Sequence, residues 1–271
     1  MTPMNTGAPT PDRELNAVLH ELVTGVQTIL GDTFIAAYLQ GSFAVGDWDI
    51  HSDVDFLIAI AQDVPEAVLP ALQALHARIY HLGSPWAHHL EGSYFPRELL
   101  RRGDAARTPL LFLDNTSDNL IRSGHDNTLV VRWVVREYGI PLAGPAPSEL
   151  IDPVRPDNLR QEVSATMRDW AHDIFANRYR IDNRWAQPFA VLSYCRMLHT
   201  LRTGRIGSKP AGAQWARGAL DNRWSGLIQR AWDERPHPSV KVRQPADPAD
   251  VEETLAFIRY ALTFSNQPGA S

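Results

Sequence analysis

The chain is poor in cysteine, lysine and long apolar runs. Cys195 is the one cysteine among 271 residues, which excludes an intramolecular disulfide and a cysteine-based zinc cluster. A reducing cytoplasm is the default location. Lysine occurs only at 209 and 241; every other basic residue is arginine, so arginine by itself carries little information and Lys209 slightly more. No stretch approaches the roughly 18 consecutive apolar residues of a membrane span. Met1 to Pro11 has neither a basic start nor an apolar core and does not read as a secretion signal. There is no Lys/Arg-rich run, and the net charge is −5, which argues against duplex nucleic acid as a partner. What remains is an ordinary globular composition, 44% apolar and 21% charged, long enough for one large domain or two modest ones.

Residues 1–9 read as a loose tail. Thr10-Pro11-Asp12 opens a helix that carries Leu15, Val18, Leu19, Leu22, Val26 and Leu30 at helical spacing. Phe34 to Leu39 is a short β-prone run ending at Gly41-Ser42, and Asp53 to Ile60 reads as a buried strand. Residues 64–82 are expected to be helical, 86–95 and 110–113 to be strands, and 127–138 a helix. Strand signals stop near Gly144-Pro145-Ala146-Pro147 and Asp152-Pro153. Beyond them Leu159, Val163, Met167, Trp170 and Ile174 recur at helical steps, and 188–202, 208–234 and the segment opened by Asp247-Pro248 read as further helices. The expected fold is α+β: a small mixed sheet with flanking helices over residues 1–153, then an all-α helical-bundle domain over 154–271.

One segment carries chemistry. Asp53 and Asp55 lie two apart at the start of an apolar strand, so their side chains share one side. Two carboxylates on one face of a buried strand repel each other and lose water. A hard divalent cation removes the conflict, and two carboxylates with substrate phosphates and water are a usual setting for Mg²⁺. Upstream, Gly41-Ser42 ends a strand in a flexible turn that can offer N–H groups and a hydroxyl to phosphate. Either pair alone is common; the two in this order, with ten residues between Ser42 and Asp53, describe a nucleotidyl-transfer site. An acceptor hydroxyl would also need a base. Glu91 is the candidate, on a strand where His89, Glu91 and Ser93 alternate onto one face; a solvated acid on an edge strand is the ordinary alternative. The histidines at 76, 81, 88 and 89 read as packing residues rather than a metal site, because 88 and 89 point opposite ways.

The stretch Gly41-Ser42 … Asp53-Val54-Asp55 resembles the signature of the DNA polymerase β-type nucleotidyltransferase superfamily. The resemblance extends to the aminoglycoside adenylyltransferases that modify streptomycin and spectinomycin, through Gly144 to Val154, Leu192 to Arg196, Thr203-Gly204-Arg205-Ile206-Gly207-Ser208-Lys209-Pro210 and Trp215-Ala216. It implies that Asp53 and Asp55 hold Mg²⁺, that Ser42 beside Gly41 contacts the β/γ phosphates, and that Arg196 and Lys209, thirteen positions apart, reach the triphosphate. Tyr260 would lie against the nucleotide, and Glu91 would be the catalytic base. It also implies ATP as co-substrate and a small, cationic, hydroxylated acceptor, an aminoglycoside, bound in a cleft between the domains of a monomer or weak dimer. Asp173 and Asp182 are candidate contacts for its ammonium groups. The segment Asn115 to Asp126 lacks the tryptophan that this branch carries there. Two other readings stay open: a nucleotidyltransferase acting on a protein or RNA end, and a nucleotide-binding relative that has lost catalysis.

Overall fold

The computed structural model describes residues 8–50, 52–103, 107–235 and 238–266, and the chain divides into two compact units, Met1–Val154 and Arg155–Ser271. His51 of the motif and residues 1–7 of the expected tail lie outside the described residues.

In the first unit, α1 (Arg13–Leu30) begins where the Asp12 carboxylate accepts the N–H groups of Glu14 and Leu15, both at 2.9 Å. Thr10, the expected cap, lies too early to do this and bonds Asn16 instead. There follow β1 (Phe34–Leu39), the single-turn α2 (Gly41–Val45), β2 (Val54–Ile60), α3 (Leu69–Tyr80), β3 (Leu90–Pro96), α4 (Arg97–Arg102), β4 (Leu110–Leu113), β5 (Leu120–Ser123), α5 (Leu129–Tyr138), β6 (Ile140–Ala143) and α6 (Pro147–Leu150). The six strands form one mixed sheet in the order β5-β4-β3-β2-β1-β6, parallel only between β2 and β3.

Alternation along the central strands feeds two cores. Ala37, Leu39, Phe56, Ile58, Ile60 and Tyr94 face α1 and α3. Ala36, Tyr38, Leu57, Ala59 and Phe95 face Leu100, Val135 and Leu150 of the later helices. A strand covered on both faces reads as a continuous apolar run, which is how β2 reads. The edge strands β5 and β6 are short and partly exposed, and give no such signal.

The strand expected from Trp86 begins only at Leu90. Ser84 accepts the Trp86 N–H and Pro85 starts a 3-10 turn that runs to His89. On the far face Arg132 is almost fully buried. Its guanidinium donates to the carbonyls of Leu99, Leu100 and Thr128 and to Asn127 Oδ1, and lies 5.4 Å from the Phe95 ring centre. The end of α4 is thereby tied to the loop that enters α5.

The second unit consists of α7 (Pro156–Phe175), α8 (Ala186–Thr203), α9 (Lys209–Ala219), α10 (Ser225–Glu234), α11 (Pro238–Lys241) and α12 (Pro248–Ser265). Helix α8 is central and packs against α7, α9, α10 and α12. Cys195 lies inside it, its thiol pushed up to about 12 by burial, so it is a packing residue. The single helix expected over 208–234 is interrupted, because the Asp221 side chain accepts the Arg223 N–H and opens a separate 3-10 turn at Asn222–Trp224.

His76 lies inside the first core, its Nε2 2.7 Å from the Tyr94 hydroxyl, and burial lowers its pKa to about 4. The folded protein therefore resists a proton that the unfolded chain takes up near 6.5. Stability should fall as pH drops from about 6.5 to 4, with His76 contributing on the order of 3 kcal/mol of that loss. Urea unfolding of wild type and His76→Phe at pH 7 and pH 4 measures it: the gap between the two proteins should shift in favour of the variant as pH falls, and parallel profiles would refute the assignment.

Candidate active site

The site is built where β1, β2 and β3 come together. The N–H of Gln40, after β1, donates to the Asp55 carbonyl at 2.8 Å. Gly41 then turns the chain with φ +61°, and a side chain there would overlap the Asp55 carboxylate. Glycine at 41 is thus required twice, by backbone conformation and by the carboxylate against its Cα. Ser42 is the second residue of α2, and its carbonyl accepts the Asp47 N–H that closes the following turn.

Asp53 immediately precedes β2 and Asp55 is its second residue. The parallel register sets Asp55 directly opposite Glu91. Asp55, Leu57 and Ala59 on β2, and Glu91, Ser93 and Phe95 on β3, alternate onto the same face, and neighbouring strands are only about 4.8 Å apart. The two acids of the motif and the candidate base therefore converge. Glycine at 92 makes the close approach possible, since a Cβ there would overlap the Phe56 carbonyl. The histidine of the expected triplet stays in the 3-10 turn, but Glu91 and Ser93 do share a face.

Further groups join this cluster that the motif does not contain. Asp126, buried just before α5, accepts the Ser93 hydroxyl at 2.8 Å, and burial raises its pKa. His125 Nε2 lies 3.7 Å from Glu91 Oε1. The ligating atoms of Glu91, His125 and Asp126 lie within 4.8 Å of one another, a spacing that suits a cation. Asn115, after β4, donates its amide to Asp53 Oδ1. Asp114 follows Leu113, which pairs with Gly92, and so continues the antiparallel register toward Glu91. None of these could be read from spacing, because they sit on loops that only the β3–β4 pairing and the Arg132 clamp bring to the site.

The electrostatic result is a surplus of negative charge. The Glu91 carboxyl is pushed up to about 9, first by burial and then by Asp55, Asp53, Asp126 and Asp114. Hard oxygen donors in such surplus fit a divalent cation, and its charge would return Glu91 toward an ionised base.

The remaining expected residues lie in the second unit. Arg196, on α8, donates Nε–H to the Gly207 carbonyl at 3.1 Å. Lys209 opens α9, capped by Ser208, with Nζ 5.9 Å from the Phe189 ring centre. Gly212 lets α9 approach the Arg196 backbone, so both cations belong to the α8–α9 junction. Tyr260 packs on Trp224 and Phe264, and its hydroxyl accepts the Asp221 N–H. Asp173, half-buried, and Asp182, exposed, are already paired with Arg178 and Arg180.

Two outcomes follow. Gly41→Ala should displace the Asp55 carboxylate and lower activity at least ~100-fold while the circular dichroism spectrum is kept. In metal-free buffer, Glu91 stabilises the fold fully below pH 4.5, and that contribution is lost as pH rises through about 9, because the unfolded chain releases its proton and the folded one retains it. Glu91→Gln should therefore raise the melting temperature at pH 7.5 by at least ~3 °C and leave it unchanged at pH 4.5. Equal shifts at both pH values would contradict the protonated state.

Comparison with known proteins shows what the chain resembles. The family described as aminoglycoside adenylyltransferase, C-terminal domain, matches residues 149–261. An aminoglycoside (3'') (9) adenylyltransferase of Shigella flexneri is 23% identical over 92% of this chain and 95% of its own. A spectinomycin 9-adenylyltransferase of Staphylococcus aureus is 21% identical over 76% of this chain and 86% of its own. The fold is that of the spectinomycin adenyltransferase AAD(9) from Enterococcus faecialis, solved with ATP and spectinomycin, with a TM-score of 0.65 at 12% identity over 91% of this chain and 98% of that one. The chain is thus similar to aminoglycoside adenylyltransferases, through the family model over its helical unit and through relatives over most of its length.

Proposed function

We propose that this protein is a Mg²⁺-dependent nucleotidyltransferase that moves AMP from ATP to a hydroxyl of an aminoglycoside antibiotic, and so confers resistance. One observation carries the reading above all: the register that sets Asp55 opposite Glu91, with Asp53 beside them. The names of the similar proteins support AMP transfer to this class of acceptor, and the ATP in the structural neighbour supports the co-substrate.

Residues 1–153 act as the nucleotidyltransferase domain and 154–271 as its helical partner. Asp53 and Asp55 hold the cation, which when bound offsets charge on the triphosphate and orients it. Gly41 and Ser42 contribute backbone N–H and hydroxyl groups to the phosphates. Arg196 and Lys209 supply positive charge to the triphosphate, and Tyr260 offers its ring to the nucleotide. Glu91 takes the proton of the acceptor hydroxyl as that oxygen attacks the α-phosphorus in line and pyrophosphate leaves. Glu91 is only 18% exposed, which limits the water that competes with the acceptor for it.

Glu91→Gln should reduce adenylyl transfer at least ~100-fold, while ATP with Mg²⁺ still raises the melting temperature. A panel of aminoglycosides, read by thermal shift and by the mass gain of one adenylyl group, identifies the acceptor. Full activity in Glu91→Gln would remove the base from the mechanism. A panel in which ATP stabilises and no drug is ever modified would sink the acceptor class.

A further inference from the structure

Asp53 lies just outside the β2–β3 ladder, whose pairing begins at Val54 and Leu90. Its side chain is met from across the sheet, where the Asn115 amide donates to Oδ1. The other end of that amide faces His89, with Asn115 Oδ1 3.2 Å from His89 Nδ1. These contacts fix one arrangement. A carbonyl oxygen turned toward a carboxylate would be repelled, so Asn115 presents its NH₂ to Asp53 and its oxygen to His89. An amide oxygen only accepts, so His89 carries the hydrogen on Nδ1 and donates it.

The backbone around Asn115 is held with matching care. The Thr116 N–H donates to the His88 carbonyl at 3.1 Å, and the Ser117 N–H to the Asp114 carbonyl at 3.0 Å. Thr116 has φ +63°, a left-handed conformation that β-branched residues avoid. A turn that keeps a threonine there, tied to the 3-10 turn that also supplies His89, is over-determined by its surroundings. The neighbouring residue it places is Asn115.

We propose that Asn115 is a positioning residue for the metal-binding carboxylate of Asp53, itself oriented by His89. This rests on the reading of Asp53 as a cation ligand. A neutral donor suits this role, because it aims the carboxylate without cancelling its charge. Arginine or lysine in its place would compete with the cation, and an acid would repel Asp53. Outer hydrogen bonds of this kind typically change metal affinity or activity 10- to 100-fold when removed.

The test is Mn²⁺ binding to the full chain, followed by electron paramagnetic resonance with a non-hydrolysable ATP analogue. Asn115→Leu keeps volume and removes the donor; it should raise the half-saturating Mn²⁺ concentration about 10-fold. His89→Phe should shift it the same way by less, and the double variant should bind no more weakly than Asn115→Leu alone, since the two act through one contact. Asn115→Ala serves as a second variant if the leucine form does not fold. Unchanged Mn²⁺ binding in a folded Asn115 variant overturns the proposal, even where melting temperature drops. So does simple addition of the two effects. Wild-type protein that binds the analogue without regard to Mn²⁺ removes the cation reading itself and this assignment with it.

Discussion

Carboxylates crowded on one face of a sheet repel one another, and the other features of the site answer to that repulsion. Asp55 and Glu91 stand opposite each other on parallel strands, with Asp53, Asp114 and Asp126 near enough to raise the Glu91 pKa. Left alone, the cluster relieves itself by keeping a proton on Glu91. A bound cation would relieve it differently, by offsetting the charge and letting Glu91 ionise. The same excess charge thus disfavours the metal-free fold and, under the proposed function, prepares Glu91 as the base, a trade of stability for chemistry that is common at sites of perturbed ionisation.

Holding such a cluster in place draws on neutral contacts. Gly41 and Gly92 permit backbone and carboxylate to approach where any side chain would intervene. Ser93 and Asn115 donate to Asp126 and Asp53 without neutralising them. Arg132, buried in the same unit, directs its guanidinium hydrogen bonds to carbonyls and to Asn127. Through those bonds it shapes the loop that carries Asp126. His125, which is 65% exposed, approaches Glu91 to 3.7 Å.

The legible part of this site is the part with a period. Asp53 and Asp55 announce themselves by sitting two apart before an apolar run, and Glu91 by alternation with Ser93. Their convergence needs only that the two strands be neighbours, and they are. Helix α1 and the strands at 34–39 and 110–113 are legible for the same reason. Asn115, His125 and Asp126 are not, because a loop residue has no periodic neighbours and its place depends on which distant strand pairs with which. The edge strands at 120–123 and 140–143 escape notice because four half-exposed residues give neither alternation nor an apolar run. The break inside 208–234 turns on one side-chain cap, Asp221, against a helical background. Arg196, Lys209 and Tyr260 stand out by resemblance; in the fold they occupy well-packed positions of the helical unit, among contacts that residue pattern alone does not distinguish from ordinary packing.

The core and the site also share a single register. Phe56 to Ile60 are buried on both faces of the sheet, so β2 cannot slide without exposing one set of side chains to the wrong layer. A slip of one residue between β2 and β3 would turn Glu91 to the opposite face and set a residue with a Cβ, Glu91 or Ser93, where Gly92 now passes the Phe56 carbonyl. Hydrophobic packing, which has no preference for magnesium or nucleotides, therefore specifies the distance between Asp55 and Glu91. Placing them on strands rather than loops makes that distance as rigid as the core itself, and leaves to the loops only the finer adjustment of each carboxylate's direction.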